Sequence, residues 1–385
     1  MTTFDIFVVG SGGGPYEDNL SSYLLKPSES SWKDGIIALE AGSGLGALNR
    51  LLTEHADVFT SSSEEVDVPK TPTAADIYSW IRCYLITHPH LDHINGLVLS
   101  AGSAKGAPKP VYGTQETLEA VAEAFSGKLW PALASWTEKP NISYLLSPDR
   151  LSTDGDYVPI SEDISVRTLS ISHGQREEGE PYHSSAYAIR HTHTARELFF
   201  FGDVEPDSVS ASAMNLEVWR AAAPKIPHTL SAIFIECSWP SGRPDELLYG
   251  HLSPEHLVTE LTVLAREVVK SRDRSRGDSS DDSAQGQPRK RRRKRDSDPE
   301  LDLTGALEGL RVFITHCKDD LHGAFDEPIH EVIAGQVRAL VEELSLGVEI
   351  VAVEQGMLIC AYRSHLLILL QLLTDHSHIN TLKQY

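Results

Sequence analysis

The sequence THPHLDH at positions 87–93 holds three histidines and one aspartate, and it follows an apolar run that is typical of a buried strand. Neutral imidazole and carboxylate groups are preferred ligands of zinc and its neighbours. In a loop, this spacing lets His88 and His90 point one way while Asp92 and His93 point another. The stretch therefore predicts two metal ions at the end of a strand, each of which needs further ligands from distant sequence.

Three more residues of ligand type stand at the ends of predicted strands. They are His173 after the run 164–172, Asp203 after 198–201, and His316 after 312–315. Each taken alone also fits a plain role, as a capping histidine or a turn residue. Their shared position favours a common site, because strand ends gather at one edge of a layered α/β domain.

A carboxylate at Asp203 can bridge two metal ions, which divides the predicted ligands into two sets. The first metal would take His88, His90, His173 and Asp203. The second would take Asp92, His93, His316 and Asp203.

A second His-x-His pair, formed by His191 and His193, lies in a predicted hairpin turn between two strands. Arg190 and Arg196 flank this pair, so its immediate surroundings are basic rather than acidic. We therefore predict an exposed polar turn here and no metal site.

The composition is that of an acidic protein that can bury a hydrophobic core. The 385 residues carry a formal net charge of −21, and 41% of them are hydrophobic. This charge disfavours nonspecific binding to nucleic acid or to an anionic membrane. No apolar run reaches the roughly 18 residues of a membrane span, and the N-terminus lacks the basic region of a signal peptide. Together with four cysteines that form no close pair, this predicts a cytoplasmic protein.

The segment HPHLDHINGLV at 88–98 resembles the metallo-β-lactamase superfamily signature, and more closely that of the class II 3′,5′-cyclic-nucleotide phosphodiesterases of the low-affinity fungal type. Other segments are also similar to that family and run from residue 4 to about 360. They are GSGGGP at 10–15, NLSSY at 19–23, SHG at 172–174, FGD at 201–203, IECS at 235–238, GHLS at 250–253 and THCK at 315–318. In that family, a serine follows the apolar run after the histidine motif. Here Ser100 matches this serine only with a shift in spacing.

The resemblance implies an α/β protein with the metallo-β-lactamase-type αββα four-layer sandwich and two zinc ions, although other divalent metals suit the same ligands. It also implies hydrolysis of cyclic AMP or cyclic GMP to the 5′-monophosphate by a hydroxide that both metals share. By analogy with related phosphodiesterases, the predicted catalytic residues are Asp92, His251 and Glu236. His251 would protonate the leaving 3′-oxygen, and Glu236 would orient its ring. Alternatively, His251 is a loop histidine and Glu236 a structural carboxylate.

We expect one metallo-hydrolase domain over residues 1–363. Within it, the segment 271–299 lacks apolar residues and predicts a disordered, basic and polar insertion. Its run Arg289–Arg295 resembles a nuclear localisation signal or a nucleic-acid-binding patch, and the alternative is a solvated loop that balances the neighbouring acidic residues. The tail 364–385 ends the chain without an assignable role.

Two other functions fit parts of the pattern. An RNA 3′-processing endonuclease of the same superfamily would use nearly identical ligands, but it needs a basic surface for its phosphate contacts, and this chain is acidic. A binding protein that kept the fold without its metals is disfavoured because all seven predicted ligands are present. The expected partner is a cyclic nucleotide, with neither a membrane nor a nucleic acid, and the oligomeric state stays open.

Overall fold

Two mixed sheets of seven strands each form the centre of the structure, a computed structural model that describes residues 3–60, 71–103, 107–137, 144–176, 179–278 and 301–361. The strands are β1 Phe4–Gly13, β2 Leu20–Pro27, β3 Ile36–Leu39, β4 Ile81–Leu85, β5 Lys109–Gly113, β6 Leu146–Arg150, β7 Val158–Pro159, β8 Ile164–Gln175, β9 Pro181–His191, β10 Glu197–Phe201, β11 Leu230–Glu236, β12 Arg311–Thr315, β13 Glu349–Ala352 and β14 Leu358–Ala361.

Helices lie between these strands in the sequence. The α-helices are α1 Leu45–His55, α2 Ala74–Trp80, α3 Leu91–Ser100, α4 Gln115–Ala124, α5 Asn215–Ala222, α6 Pro254–Asp278 and α7 Ile329–Glu343. Short 3-10 turns lie at Trp32–Asp34, Ala56–Phe59, Ala101–Ser103, Ala223–Lys225 and Asp245–Leu247.

Each sheet combines antiparallel and parallel strands. The strand order is β14-β1-β2-β3-β4-β5-β6 in the first sheet and β13-β12-β11-β10-β9-β8-β7 in the second. Strands β3 to β6 run parallel in the first sheet, as do β10 to β13 in the second. The predicted hairpin is β9 and β10, which pair antiparallel from Glu197 opposite Arg190 to Phe201 opposite Ala186.

Side chains alternate between two faces along each strand, and this alternation creates three apolar layers. Phe7 of β1 packs with residues of α1 to α4, whereas its neighbour Ile6 packs against the second sheet, in the layer that holds Phe234. On the other side of the second sheet, Ile233 packs with α5 to α7. The order is therefore helix, sheet, sheet, helix, and the predicted αββα sandwich is confirmed.

The loop after β3 is joined to helix α3 by backbone hydrogen bonds. Ala41 N–H donates to the His93 carbonyl at 2.8 Å, and Gly96 N–H donates to the Gly42 carbonyl at 2.8 Å. A Cβ atom on Gly96 would stand 2.7 Å from the Ser43 backbone, so this close approach requires glycine. The contact fixes the start of α3 against the end of β3.

Helix α6 extends further than the sequence predicted. It continues to Asp278, so the first part of the predicted disordered insertion 271–299 is helical, and the rest of it lies outside the described residues. A helix that is already nucleated by a packed segment gains one hydrogen bond per added residue, so its extension needs no apolar side chains. The basic run Arg289–Arg295 and the tail 364–385 also lie outside the described residues. Among the described helices, none has the length and apolarity needed to cross a membrane.

Candidate metal centre

The THPHLDH stretch spans the end of a strand and the start of a helix. Strand β4 ends at Leu85, and α3 begins at Leu91 with His90 as the residue that precedes it. His88 and His90 therefore project from the connecting loop, whereas Asp92 and His93 belong to the first helical turn. This change of backbone direction separates the two pairs of side chains.

The first group of ligand-type atoms gathers around His90. Its Nδ1 lies 3.1 Å from Nε2 of His88 and 3.3 Å from Nε2 of His173. Oδ2 of Asp203 lies 3.6 Å from both of those Nε2 atoms. Strand β8 runs on to Gln175, so His173 lies within the strand rather than after it, next to an irregularity in the pairing.

The second group gathers around His316. Its Nε2 lies 3.1 Å from Nε2 of His93, 3.2 Å from Oδ2 of Asp92 and 3.3 Å from Oδ1 of Asp203. Nε2 of His93 also lies 3.3 Å from Oδ1 of Asp203. The structure thus brings all seven predicted ligands together in the two predicted sets.

Asp203 faces both groups, with Oδ2 toward the first and Oδ1 toward the second. It is buried and follows β10 after one intervening residue, Gly202. A Cβ atom at Gly202 would overlap the hydroxyl groups of Thr87 and Ser184, so only glycine lets β10 approach the loop after β4 this closely. The position of the Asp203 carboxylate between the two groups depends on that approach.

The spacing of these atoms fits metal ions. At a tetrahedral site with bonds of about 2.0–2.1 Å, neighbouring ligand atoms stand about 3.3 Å apart. The observed separations within each group are mostly 3.1 to 3.6 Å. Nitrogen atoms that face each other at 3.1 Å need a proton or a cation between them, and each group adds a carboxylate that balances positive charge.

Hydrogen bonds on the far side of the rings orient three of the histidines. The Gly250 carbonyl accepts from Nδ1 of His173 at 2.7 Å, which leaves the lone pair of Nε2 facing the first group. Hydroxyl oxygens lie 3.0 Å from Nδ1 of His88 and 3.1 Å from Nδ1 of His316; they belong to Thr87 and Ser238. Such outer contacts fix the tautomer and the direction of a metal-binding ring.

Glu40 is a buried carboxylate that sequence reasoning did not assign to the site. It follows β3, its Oε1 accepts from the Thr87 N–H at 3.1 Å, and the same oxygen lies 3.7 Å from Nδ1 of His93. Its position after a strand is the signal that identified Asp203, so the same rule could have found it. Tyr182, which stacks on His90 with ring centroids 4.9 Å apart, offered no such signal.

Burial lowers the pKa of His88, His173 and His316, and that of His173 falls to about 3. His90 is exposed, but desolvation by its neighbours also lowers its pKa. The neutral form of these rings carries the free lone pair that binds a metal.

At the second group, neighbouring charges shift the pKa values of His93, Asp203 and Asp92 more strongly than burial does. Burial disfavours a charge on His93, but the Asp203 and Glu40 carboxylates outweigh it and raise the pKa of His93 well above its usual value. Burial also disfavours the charge of Asp203, but the rings of His316, His93 and His88 hold the pKa of Asp203 well below its usual range. Asp92 likewise has a lowered pKa, because its bond to His316 outweighs its burial. The site therefore concentrates negative charge where a cation would bind.

The predicted catalytic pair lies beside these groups. Nδ1 of His251 is 2.9 Å from Oε1 of Glu236 and 3.8 Å from Oδ2 of Asp203. The Glu236 carboxylate also accepts from the Val204 N–H at 2.9 Å and from the Ser238 hydroxyl at 2.6 Å. Burial lowers the pKa of His251 to about 4, and burial together with the nearby Asp203 raises the pKa of Glu236 to about 7.

The prediction for the second His-x-His pair was only partly right. His193 is exposed in the turn, and its Nε2 lies 3.0 Å from Oδ1 of Asp163. His191, however, is buried, with Nδ1 2.9 Å from the Thr194 hydroxyl and Nε2 2.8 Å from Oε1 of Glu29. Its acidic partner comes from distant sequence. In the described chain, neither ring joins a metal-type cluster.

A cavity of about 870 Å³ adjoins Asp92. Lys318 lies in its wall, with Nζ donating to the Gly13 carbonyl at 2.6 Å and standing 3.9 Å from Oδ2 of Asp92. The cavity wall therefore carries an ammonium group next to Asp92. The cavity volume falls in the usual range for small-molecule sites, about 300–1,000 Å³.

The four layers, with histidine and aspartate groups gathered at one edge of the two sheets, define the metallo-β-lactamase fold. Solved structures agree on the fold: unliganded yeast PDE1 matches with a TM-score of 0.72 and 24% identity, over 92% of this chain and 99% of that one. The metallo-β-lactamase fold protein YhfI from Bacillus subtilis matches with a TM-score of 0.52 and 13% identity, over 93% of this chain and 99% of that one.

Sequence comparisons identify the family in addition to the fold. A model of the class-II cAMP phosphodiesterases matches residues 5–356, and the chain belongs to this family. A 3′,5′-cyclic-nucleotide phosphodiesterase of Schizosaccharomyces pombe is 33% identical, over 68% of this chain and 75% of that protein. A protein of the same name from Aliivibrio fischeri is 28% identical over 92% of each chain. The resemblance carried by the sequence motifs is confirmed.

Proposed function

We propose that the protein hydrolyses 3′,5′-cyclic nucleotides to 5′-monophosphates at a centre of two zinc ions. The observation that carries this proposal is the meeting of seven side chains in two four-atom groups that share Asp203. His88, His90, His173 and Asp203 would hold one ion, and Asp92, His93, His316 and Asp203 would hold the other. Nitrogen-rich sets with a carboxylate are typical of zinc.

When bound, two such ions lower the pKa of a water toward neutrality and neutralise charge on the phosphoryl oxygens. The protein's own groups position the substrate for this chemistry. The ammonium of Lys318, next to Asp92, offers a positive contact to a phosphate oxygen that faces the cavity. In a chain of net charge −21, such a local charge also offsets the general repulsion of an anionic substrate.

His251 would supply the proton that the leaving 3′-oxygen needs. Glu236 accepts from its Nδ1, which leaves Nε2 as the atom that delivers a proton. The negative charge of a bound phosphodiester favours the protonated ring, although burial makes it neutral in the free enzyme. Asp92 would act in the same step as a ligand of the second ion, which keeps that ion in position beside the phosphoryl group.

Cyclic AMP and cyclic GMP are the proposed substrates. Two Dictyostelium discoideum relatives, each 24% identical, are named for 3′,5′-cAMP/cGMP phosphodiesterase activity, so the names within the family include both nucleotides. Family membership and the acidic charge both favour this activity over the RNA 3′-processing endonuclease considered from the sequence.

The test is hydrolysis of cyclic AMP, cyclic GMP and a precursor tRNA by the purified protein, with its metal content measured in parallel. We expect turnover of a cyclic nucleotide, loss of turnover after chelation, recovery on addition of zinc, and two zinc ions per chain. Cleavage of the precursor tRNA without cyclic-nucleotide hydrolysis would contradict the proposal.

A further inference from the structure

The cavity beside Asp92 has an aromatic and cationic wall that the metal-centre chemistry does not use. Trp239 and Arg243 both line it, and the guanidinium carbon of Arg243 lies 3.5 Å above the Trp239 ring. A guanidinium stacked on an indole forms a flat, extended surface, and flat cationic or aromatic surfaces are the ones on which nucleobases stack.

Hydrogen bonds to the same short segment hold both side chains. Nε1 of Trp239 donates to the Leu248 carbonyl at 2.9 Å, and Nε of Arg243 donates to the Leu247 carbonyl at 2.7 Å. Such a pre-organised surface loses little side-chain entropy when a ligand binds.

The loop that carries the stack is continuous with the candidate catalytic residues. It begins after Ser238, which bonds to Glu236, and it leads into Gly250, which bonds to His173. The backbone N–H groups of Ser238 and Trp239 both donate to the Leu252 carbonyl, at 3.0 and 3.2 Å, so the two ends of the loop are tied together. The stack is thereby held at a fixed position relative to the metal centre.

The charge on Arg243 is available to a ligand. Within the described part of the chain, no carboxylate pairs with its guanidinium, and its only protein hydrogen bond runs through Nε. Exposed apolar side chains complete the cavity wall, namely Leu91, Leu321 and Phe325. A cavity with apolar surface, a stacked cation and an ammonium next to Asp92 matches a molecule that carries both an aromatic base and a phosphate.

We propose that this cavity is the nucleoside subsite, in which the Trp239–Arg243 stack binds the purine base while Lys318 faces the phosphate. This inference rests on the proposed function, because the base must extend from a phosphate held at the metal centre. It identifies Trp239 and Arg243 as residues that determine specificity for nucleotides over other phosphodiesters. They contact the base and leave the reacting phosphorus to the metal centre.

The test compares Trp239→Ala and Arg243→Met with the unchanged enzyme on two substrates. One is cyclic AMP, and the other is bis(p-nitrophenyl) phosphate, a diester without base or ribose. We expect kcat/KM for cyclic AMP to fall roughly tenfold to a hundredfold, mostly through KM, because that is the usual effect of losing one base-stacking contact. The loss on the diester should be at least tenfold smaller. Trp136→Ala alters an exposed tryptophan outside the cavity wall and should leave kcat/KM unchanged for both substrates.

A binding measurement separates this role from a folding defect. Calorimetric titration with the product AMP and with ribose 5-phosphate should show tighter binding of AMP in the unchanged enzyme, and Arg243→Met should reduce that preference while the thermal unfolding midpoint stays the same. Equal losses on cyclic AMP and on the diester would overturn the nucleoside subsite and leave the proposed function standing. Hydrolysis of the diester without any cyclic-nucleotide turnover by the unchanged enzyme would overturn both.

Discussion

Nδ1 of His251 lies 2.9 Å from Oε1 of Glu236, and that same carboxylate oxygen accepts the backbone N–H of Val204 at 2.9 Å. Val204 directly follows Asp203, so one buried carboxylate ties the histidine to the backbone next to the residue that faces both ligand groups. A ring held in this way can deliver a proton from Nε2 without reorienting.

We predict that His251→Ala lowers kcat for cyclic AMP by about 10²–10⁴, the usual contribution of a positioned acid. The loss should be much smaller for bis(p-nitrophenyl) phosphate, because p-nitrophenolate leaves without a proton. Steady-state rates on both substrates measure this difference, and metal analysis should find unchanged zinc content. Equal losses on both substrates would show that His251 does not act as an acid.

The two metal groups should be separable by substitution. We predict that His90→Ala removes one zinc ion and His316→Ala removes the other, whereas Asp203→Ala weakens both because Asp203 faces both groups. Elemental analysis after gel filtration gives the number of ions per chain, and circular dichroism checks that the fold is retained. Turnover should fall to background in each case. As a control, His193→Ala alters an exposed histidine outside these groups and should leave zinc content unchanged.

The residues of the candidate metal centre were predictable because their pattern is local. His88 to His93 follow one another directly, and Asp203 and His316 each stand at the end of an apolar strand, where a bound ion needs them. The αββα layers followed from the family resemblance, whereas the pairing of β11 with β10 and β12 has no local mark in the sequence.

Contacts that depend on distant or backbone partners could not be predicted. His191 is buried, and both Phe4, on which its ring packs, and Glu29, which its Nε2 faces at 2.8 Å, are remote in sequence. The orientation of His173 depends on the Gly250 carbonyl, a group that every residue carries and that therefore leaves no trace in the sequence. Only a three-dimensional pairing gives such groups a role.

Glu40 offers a test of how outer contacts support the second metal. Its Oε1 faces Nδ1 of His93 at 3.7 Å and accepts from the Thr87 backbone, so it favours the ring position that presents Nε2 to the site. We predict that Glu40→Ala lowers zinc affinity at the second site by about 10–100-fold, as is typical of outer contacts, while the first site keeps its affinity. Glu40→Gln retains an oxygen that accepts the Thr87 N–H, so its zinc affinity at the second site should lie between those of Glu40→Ala and the unchanged enzyme. Competition with a chromophoric chelator measures both affinities, and equal weakening of the two sites would contradict a role specific to His93.

We expect the ammonium of Lys318 to attract the anionic substrate and to have little effect on metal binding. Its Nζ lies 3.9 Å from Oδ2 of Asp92 and also donates to the Gly13 carbonyl, so it occupies a fixed position in the cavity wall. We predict that Lys318→Met lowers kcat/KM for cyclic AMP by about tenfold, which corresponds to about 1.4 kcal/mol, near the value of a charge-assisted hydrogen bond.

The salt dependence of kcat/KM identifies the cause of that loss. Attraction between a fixed cation and an anionic substrate weakens as ionic strength rises, so the unchanged enzyme should lose activity with added salt more steeply than Lys318→Met does. Lys128→Met removes an exposed lysine outside the cavity wall and should keep the salt profile of the unchanged enzyme. If Lys318→Met instead loses zinc and keeps the original salt profile, Lys318 supports Asp92 and does not contact the phosphate.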